Sequence, residues 1–444
     1  MTSSRTVHRT RLAAIAALAT ALLAAGCGGT AVSSSSAAGT AGAAGAAASG
    51  GTTGTTGTAG TLPAAAPGWN PATKSVTITS LYPESGPVAG GALFLIGMKA
   101  WFARATAAGG AMAGYKINMN TPDTQYEDSL TISEYQQYKA QSALFEVLAT
   151  PTMLTLKQDN ILAVGAGLDS TTIHDPNYLP VLPPNEAIAA NMVAYADQSE
   201  GKKGDTYCVA EENDTTGSQF AAGTEYAAKQ LGLKFGGAVP YTYPPTDATP
   251  IVVQLRSKGC QVVIVGGVTP TMIDIAARAA QLNYAPQWLV SGSGVSPHMA
   301  TGPSGSYIQK NVLMVYTGAD WGSGELAGSA QLATDVKAVD PTYTPDAVSY
   351  ESGYCEGMAT TDVLKKAIDD GDMSRTGILN AVNQLGKVSF LGLCGGGYDY
   401  GTSAATRTPP RTVTVYKFVT NTVTGLKVVK LNYTSSVGDS VPLS

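Results

Sequence analysis

The chain has 444 residues, 44% of them hydrophobic and only 13% charged, so it is long enough for two or three domains with sizeable cores. Its formal net charge is -5, and no basic run follows the first eleven residues. Because nucleic-acid-binding proteins carry a basic face, we expect no nucleic-acid partner.

Residues 1–26 are predicted to be a secretory signal peptide. Three arginines precede an apolar run from Leu12 to Ala25 that is too short to span a bilayer. The run ends in Leu-Leu-Ala-Ala-Gly-Cys, which resembles a bacterial lipobox, in which the cysteine receives diacylglycerol. We therefore expect a lipid anchor on Cys27 that holds the protein outside the cytoplasm at the cell membrane. The alternative is ordinary signal cleavage that leaves Cys27 as a free thiol.

Residues 27–70 are predicted to be a flexible tether. This stretch is made mostly of Gly, Ala, Ser and Thr, and it contains no charged residue before Lys74. Such a composition buries too little apolar surface to offset the entropy lost on ordering. The folded part is therefore expected from residue 71 onwards.

The first folded unit is predicted to be a strand, a loop and a buried helix between Val76 and Arg104. A β-branched run is followed by the cluster Tyr-Pro-Glu-Ser-Gly-Pro and then by a mostly apolar segment. Ligands of open α/β sheets bind outside the carboxyl ends of the strands. Tyr82, Glu84 and Ser85 lie at that point of the chain, so we take them as candidate ligand contacts.

Strands and helices alternate along the rest of the chain. The predicted strands are 115–120, 144–148, 161–165, 206–210, 234–241, 262–265, 287–290, 312–316, 412–419 and 426–431, and the predicted helices are 129–143, 186–199, 217–231, 249–258, 270–283 and much of 343–385. This alternation predicts parallel sheets with right-handed crossovers. The proline-rich break at 182–185 indicates a division into two lobes.

Four cysteines remain after Cys27, and an even number in an exported chain predicts two disulfides. They are Cys208, Cys260, Cys355 and Cys394. Four cysteines allow three pairings. Because the first two lie in or beside predicted strands of one sheet, we expect Cys208 to pair with Cys260 and Cys355 with Cys394.

Neither a metal site nor catalysis is expected. Only His174 and His298 follow the signal peptide, and there is no Cys-x-x-Cys motif. The folded part contains no Gly-x-Ser-x-Gly and no His-Glu-x-x-His motif, so we predict that the protein is not an enzyme. The segment 165–170 lacks the third glycine of a dinucleotide fingerprint, and no cofactor is expected.

Several segments together carry a family resemblance. Tyr82–Pro87 matches a Pro-x-Ser-Gly first loop, and Glu212–Gly217 matches an Asp-x-x-x-Gly opening of a second lobe, with support from 347–363 and 391–399. The chain from about 75 to 431 resembles the substrate-binding lipoproteins of branched-chain amino acid type ABC importers, which are leucine-binding-protein-like and have the type I periplasmic-binding-protein fold.

The resemblance implies an α/β fold of two doubly wound lobes with parallel sheets, joined by a three-strand hinge. The chain would cross the hinge near Ala190, Ala319 and Thr402. Lobe 1 would then be 71–190 with 319–402, and lobe 2 would be 191–318 with 403–444.

The function implied is capture of a small polar organic solute, such as an amino acid or amide, in the cleft between the lobes. An ABC permease in the membrane would receive the solute, and the protein is expected to be a monomer. The alternative is a tethered ligand sensor of the same fold that signals to a membrane receptor. The sequence does not separate these two functions.

The resemblance also implies a set of ligand-binding residues. They are Tyr82, Glu84, Ser85, Thr150, Thr152, Ala166, Gly167 and Asp169 in the first lobe, Asn213, Asp214, Thr215, Thr269 and Ser293 in the second, and Trp321 beside the hinge. Some have an alternative role: helix capping for Ser85, Thr152 and Asp214, wall packing for Tyr82 and Trp321, and a solvated loop carboxylate for Glu84. Since Pro151 removes one N–H donor, amides, ureas and aromatic acids stay open as ligands beside amino acids.

Overall fold

The computed structural model describes residues 62–444 apart from positions 87, 149–152, 244, 268, 295, 344, 346 and 347, and apart from a few further side chains. The signal peptide, Cys27 and most of the expected tether lie outside the described residues. The folded body begins before residue 71, because Trp69 is buried and its indole N–H donates to the Pro63 carbonyl at 3.1 Å.

The structure alternates strands and helices along the chain, as the sequence predicted. The strands are β1 (Trp69–Asn70), β2 (Ser75–Leu81), β3 (Lys116–Asn120), β4 (Phe145–Val147), β5 (Ala163–Gly165), β6 (Tyr178–Pro180), β7 (Thr206–Glu212), β8 (Lys234–Tyr241), β9 (Val262–Gly266), β10 (Gln287–Ser291), β11 (Val312–Tyr316), β12 (Lys387–Ser389), β13 (Gly397–Asp399), β14 (Val413–Phe418) and β15 (Leu426–Tyr433). The helices are α1 (Gly91–Thr106), α2 (Asp128–Tyr138), α3 (Met153–Gln158), α4 (Asn185–Ser199), α5 (Thr215–Leu231), α6 (Thr249–Ser257), α7 (Thr269–Gln281), α8 (Gly305–Asn311), α9 (Ala327–Val339), α10 (Ser349–Asp369), α11 (Arg375–Val382) and α12 (Ser436–Ser440).

The first lobe is built on a six-stranded sheet. Strands β2, β4, β5 and β6 are neighbours in that order and run parallel, β3 pairs with β2 in parallel, and the short β1 pairs with β2 antiparallel. Helix α1 packs against α10 and α9, and α10 also packs against β5. Val76 and Ile78 face one side of the sheet and Phe145 and Ala163 face the other, so both faces are covered.

The second lobe is built on a seven-stranded sheet in the order β15-β14-β11-β10-β9-β7-β8. Strands β7 to β11 are parallel, whereas β14 and β15 form an antiparallel hairpin at one edge. Every residue of Val262–Gly266 is buried, as expected for a central strand with both faces covered. The predicted α/β fold with two mostly parallel sheets is therefore confirmed, with an antiparallel edge in the second sheet.

The chain crosses between the lobes three times. The first crossing lies between Pro180 and Asn185, since α4 packs against α5 and α12 of the second lobe. The other two crossings lie between β11 and α9 and between β13 and β14.

Both disulfides have the predicted pairing. Cys208 of β7 is bonded to Cys260, which directly precedes the neighbouring strand β9. Cys355 of α10 is bonded to Cys394, which precedes β13. The second bond therefore fixes a long loop of the first lobe to its buried helix.

Helices α1 and α10 approach each other so closely that glycine is required at the contact. A Cβ on Gly353 would lie 2.0 Å from the Phe94 carbonyl oxygen, and one on Gly97 would lie 2.3 Å from the Tyr350 carbonyl oxygen. The sequence therefore provides two backbones that pack directly, without side chains between them. This contact places the first turn of α10 beside that of α1.

Three carboxyl groups of β4 and α10 are buried, namely Glu146, Glu351 and Glu356. Glu146 accepts hydrogen bonds from the Ser80 hydroxyl at 2.9 Å and the Thr360 hydroxyl at 2.8 Å, and no ion pair in the described structure involves it. Burial raises the pKa of Glu146 to about 7 and likewise that of Glu351 to about 7. Burial and the nearby Glu146 charge raise the pKa of Glu356 well above its ordinary value, although its bond from Tyr82 opposes this shift.

We expect the free energy of unfolding to fall as the pH rises through about 7. A carboxyl whose pKa is higher in the folded protein holds more protons when folded, so its contribution is complete below the ordinary value of 4.5 and is lost through about 7. Glu146→Gln keeps the shape and removes this titration, so denaturant unfolding should become less dependent on pH across that interval. Glu225→Gln, an exposed change on α5, is the control and should leave the dependence unaltered. An unchanged slope in Glu146→Gln would contradict the assignment.

Candidate functional site

A cleft of about 1160 Å³ lies where loops at the carboxyl ends of both sheets meet. The first lobe contributes the start of α1, the loop before α2, and the ends of β4 and β5. The second lobe contributes the ends of β7 through β11. The size is at or above that of most small-molecule sites.

The first-lobe wall has a polar part and an apolar part. Its polar side chains include Glu127, Asp128 and Asp169, of which Asp169 accepts from the backbone N–H of Thr171 at 3.0 Å. Its apolar part is formed by Leu93 and Phe94 in the first turn of α1 and by Val147 and Leu148 at the end of β4. Such a surface suits the carbon skeleton of an organic ligand.

The second-lobe wall is polar. Asp214 caps α5 by accepting from the Gly217 N–H at 2.8 Å, and Asn213 and Thr215 flank it on the cleft surface. Glu212 ends β7 and accepts from the Tyr241 hydroxyl at 3.4 Å. Burial and the neighbouring Glu212 carboxylate raise the pKa of the Tyr241 phenol.

The structure brings seven of the candidate residues together on the cleft surface. They are Ala166, Gly167, Asp169, Asn213, Asp214, Thr215 and Ser293. Thr150 and Thr152 lie outside the described residues. Thr269 begins α7, and its side chain is likewise not described.

Tyr82 lies in the core instead of on the cleft surface. Its side chain is fully buried, its hydroxyl donates to Glu356 Oε2 at 2.5 Å, and its ring contacts Phe94 with 5.3 Å between centroids. A tyrosine that follows a strand can point to either face, and here a buried carboxyl on α10 supplies the partner for its hydroxyl. Tyr82 thus takes the packing role that was its alternative.

Glu84 and Ser85 are exposed and do not line the described cleft. Instead their loop is bonded to Asp123. The Ser85 hydroxyl donates to Asp123 Oδ2 at 2.5 Å, and the N–H groups of Glu84 and Ser85 donate to Oδ1 at 2.8 and 3.2 Å. These bonds, the Ser85 hydroxyl first, lower the pKa of the Asp123 carboxyl. The loop after β2 is therefore bonded to the loop after β3 and does not supply Glu84 or Ser85 to the described cleft.

Trp321 does not line the described cleft either. It packs in an aromatic cluster with Tyr343 and Tyr350, with ring centroids 5.8 and 5.9 Å from its own. Its indole N–H is buried and finds no hydrogen-bond partner within the described part of the chain. As with Tyr82, packing is the role that the structure gives it.

The sequence reasoning missed the cleft residues 126–129. Tyr126 and Glu127 follow β3, Asp128 and Ser129 begin α2, and all four line the cleft. The signal was available, because the loop after any strand of a parallel sheet lies at the same edge as the loops after its neighbours. Asp123 fixes this loop by also accepting from the Gln125 N–H at 3.0 Å.

The geometry agrees with comparisons to known proteins. A family model described as periplasmic binding protein matches residues 75–422. The chain belongs to the periplasmic binding protein family. This is a family of non-catalytic solute-binding proteins, so the prediction that the protein is not an enzyme is confirmed. None of the curated proteins matches the chain.

Solved structures share the fold of this periplasmic binding protein at low identity. A fatty acid ABC transporter substrate-binding protein from Thermomonospora curvata is 19% identical with a TM-score of 0.77, covering 86% of this chain and 98% of its own. A branched-chain amino acid ABC transporter from Thermus thermophilus with bound valine is 15% identical with a TM-score of 0.67, covering 83% and 98%. A leucine-binding protein from Thermotoga maritima is 15% identical with a TM-score of 0.64, covering 80% and 97%. The type I periplasmic-binding-protein fold is therefore confirmed.

A buried network joins the two lobes of this binding protein beside the cleft. Gln219 of α5 donates to Asp169 Oδ1 of the first lobe at 2.7 Å, and Asn185 donates to Gln219 Oε1 at 2.9 Å. Next to them the Ser170 hydroxyl donates to Glu186 Oε1 at 2.6 Å. A cleft residue of one lobe is thereby bonded to a helix of the other.

We expect Gln219→Glu to lower the free energy of unfolding by about 3 kcal/mol, because it replaces a donor to Asp169 by a second carboxylate in a buried network. Gln230→Glu adds the same charge at an exposed position of the same helix and should change stability by less than about 0.5 kcal/mol. Chemical denaturation of both variants near neutral pH measures the difference. Equal stability of the two would show that the network does not join the lobes.

Proposed function

We propose that this periplasmic binding protein captures a small organic solute in its interlobe cleft and delivers it to an ABC permease. The observation that carries the proposal is that loops from both sheets line one cleft. A ligand that touches both lobes favours the closed arrangement by its differential affinity for the two arrangements, and a membrane partner can then recognise the closed form. Relatives that carry fatty acids or bind valine in ABC systems support this assignment.

The cleft residues predicted from the sequence are proposed as ligand contacts. Asn213, Thr215 and Ser293 offer hydrogen-bonding groups from the second lobe, and Ala166 and Gly167 bring backbone close to the ligand from the first. Each proposed contact is assigned to the lobe whose sheet its strand or loop belongs to. An amino acid, an amide or a related small molecule has the polar groups that such contacts satisfy.

We also propose that the protein is anchored outside the cytoplasm through lipid on Cys27. The lipobox-like ending of the signal sequence supports the anchor. The two disulfides support an oxidising compartment, where such bonds persist. No helix within the described part of the chain has the length and apolar character needed to cross a membrane.

Ligand binding is tested by a thermal-shift screen of amino acids, amides, amines and small carboxylates. A compound present at about 100 times its Kd should add about 2.7 kcal/mol to stability. Asn213→Ala should weaken the binding of the best compound about tenfold, because it removes a hydrogen-bonding group from the cleft surface. Asn380→Ala, an exposed change on α11, should leave affinity unaltered. The proposal fails if no compound stabilises the protein, and the site fails if both variants bind as tightly as the parent.

The anchor is tested by expressing the chain in a bacterial host with Cys27→Ser. The parent should incorporate labelled fatty acid and sediment with membranes, since two acyl chains give stable anchoring. The variant should do neither, while Cys208 and Cys260 still form their disulfide. Membrane association that persists in the variant without lipid would rule out Cys27 as the anchor.

A further inference from the structure

The carboxylates that line the cleft indicate the sign of the ligand's charge. We infer that the cleft binds a compound with net positive charge, an amine or quaternary ammonium with an apolar body. This inference rests on the proposed binding function and adds to it the sign of the ligand's charge.

The described cleft lining contains five carboxylates and neither lysine nor arginine. They are Glu127, Asp128, Asp169, Glu212 and Asp214. Asp169 accepts a hydrogen bond from Gln219, and Asp214 accepts one from the Gly217 N–H. Helices α1 and α5 also begin at the cleft, but a helix N-terminus supplies only about half a positive charge. The carboxylates therefore dominate the field in the cleft.

Tyr126 and Asp128 line the cleft from the first lobe, and Glu212 and Asp214 line it from the second. Burial and then the charges of Glu212 and Asp214 raise the pKa of Tyr126, with a smaller contribution from Asp128. Burial and Glu212 similarly raise the pKa of Tyr243, whose ring lines the same region.

The backbone conformation at Tyr126 is held by the surrounding loop. Tyr126 and Gln125 both have left-handed backbone, with φ of 63° and 52°, which non-glycine residues seldom adopt. Asp123 holds the loop in this shape through its bonds to Gln125 and Ser85. Strained residues of this kind are retained where the surrounding structure requires them, and they cluster at ligand sites. Here the residue with this backbone is an aromatic one that lines the cleft.

Aromatic rings beside carboxylates form a site for a cation. The face of a tyrosine ring attracts an ammonium group, and a carboxylate in a partly dehydrated cleft adds Coulomb attraction. The hydroxyl of Tyr243 is buried and has no hydrogen-bond partner among the described residues, so a polar group of the ligand has a position to occupy. A carboxylate ligand in the same place would face like charges, which disfavours a fatty acid.

The rest of the cleft defines the body of the ligand. Leu93, Phe94, Val147 and Leu148 form an apolar wall, and the volume of about 1160 Å³ exceeds what a short amine fills. Burying an alkyl chain contributes about 0.8 kcal/mol per CH₂ group. A cation with a chain of several carbons therefore uses both walls.

Four compounds with one eight-carbon chain test the sign of the charge. They are octylammonium, octanol, zwitterionic 2-aminooctanoate and octanoate. Titration calorimetry on the full chain carrying Cys27→Ser should give octylammonium at least about tenfold tighter binding than each of the other three, because only its net charge is positive. The advantage should shrink as salt is added.

Charge-removing variants locate the effect. Glu212→Gln and Asp128→Asn should each weaken the binding of octylammonium by up to about tenfold, and neither should change the binding of octanol. Glu225→Gln, exposed on α5 and outside the cleft, is the control and should leave both affinities unchanged. If Glu212→Gln fails to fold, Asp128→Asn still tests the effect of removing one cleft carboxylate, since Asp128 is exposed and lies in the other lobe.

The outcomes separate this inference from the proposed function. Tighter binding of octanoate or 2-aminooctanoate overturns the positive-charge inference and leaves solute binding intact. Binding of octylammonium that survives both cleft variants, or that is also lost in Glu225→Gln, overturns the site. Absence of binding by octylammonium overturns the inference as well, and only failure of the whole thermal-shift screen counts against the binding function itself.

Discussion

Parallel strand pairing is the constraint on which the site depends. In each sheet the parallel strands share one direction, so the loops after β4, β5, β7, β9 and β10 all emerge at carboxyl-end edges. The three crossings place these two edges against each other and leave a cleft between them. Side chains distant in sequence are thereby brought together in one cleft. A binding site arises from the topology, and its chemistry is set by the few residues after each strand.

The loops at this edge support one another. Asp123 bonds the loop that follows β2 and also shapes its own loop, which carries Tyr126 to the cleft. Gln219 bonds Asp169 from the other lobe, and behind these loops α10 packs on α1 through glycine contacts. The cleft surface is thus held by buried polar groups and close backbone packing, while its apolar and acidic surfaces are left for a ligand.

The sequence predicted the architecture well because the spacing of apolar residues and the positions of glycine and proline determine the strands, helices and turns. The strands 234–241 and 312–316 agree with the structure, since β-branched runs are a local signal. Both disulfides agree as well, since the even number of cysteines predicted two bonds and the predicted strands suggested their pairing. The short elements β6, β12 and β13 gave no such signal. Helix α4 was predicted from its sequence, whereas its packing on α5 is a tertiary contact that no local pattern encodes.

The site was less predictable for a physical reason. The direction of the Tyr82 side chain depends on Glu356, a residue 274 positions away that accepts its hydroxyl in the core. Ser85 contacts Asp123 for a similar reason, since the partner comes from the loop after β3. Asn213 and Asp214 directly follow a strand and precede a helix, and they line the cleft because the topology alone brings that position to the carboxyl-end edge of the sheet.

The central claim is that ligand binding draws the two lobes together. Spin labels on Gln136→Cys of α2 and Gln254→Cys of α6, both exposed and in different lobes, report the distance between them. With a saturating compound from the binding screen, the account predicts a shift of the distance distribution to shorter values by more than about 2 Å. A distribution that stays unchanged while the compound is bound would contradict it.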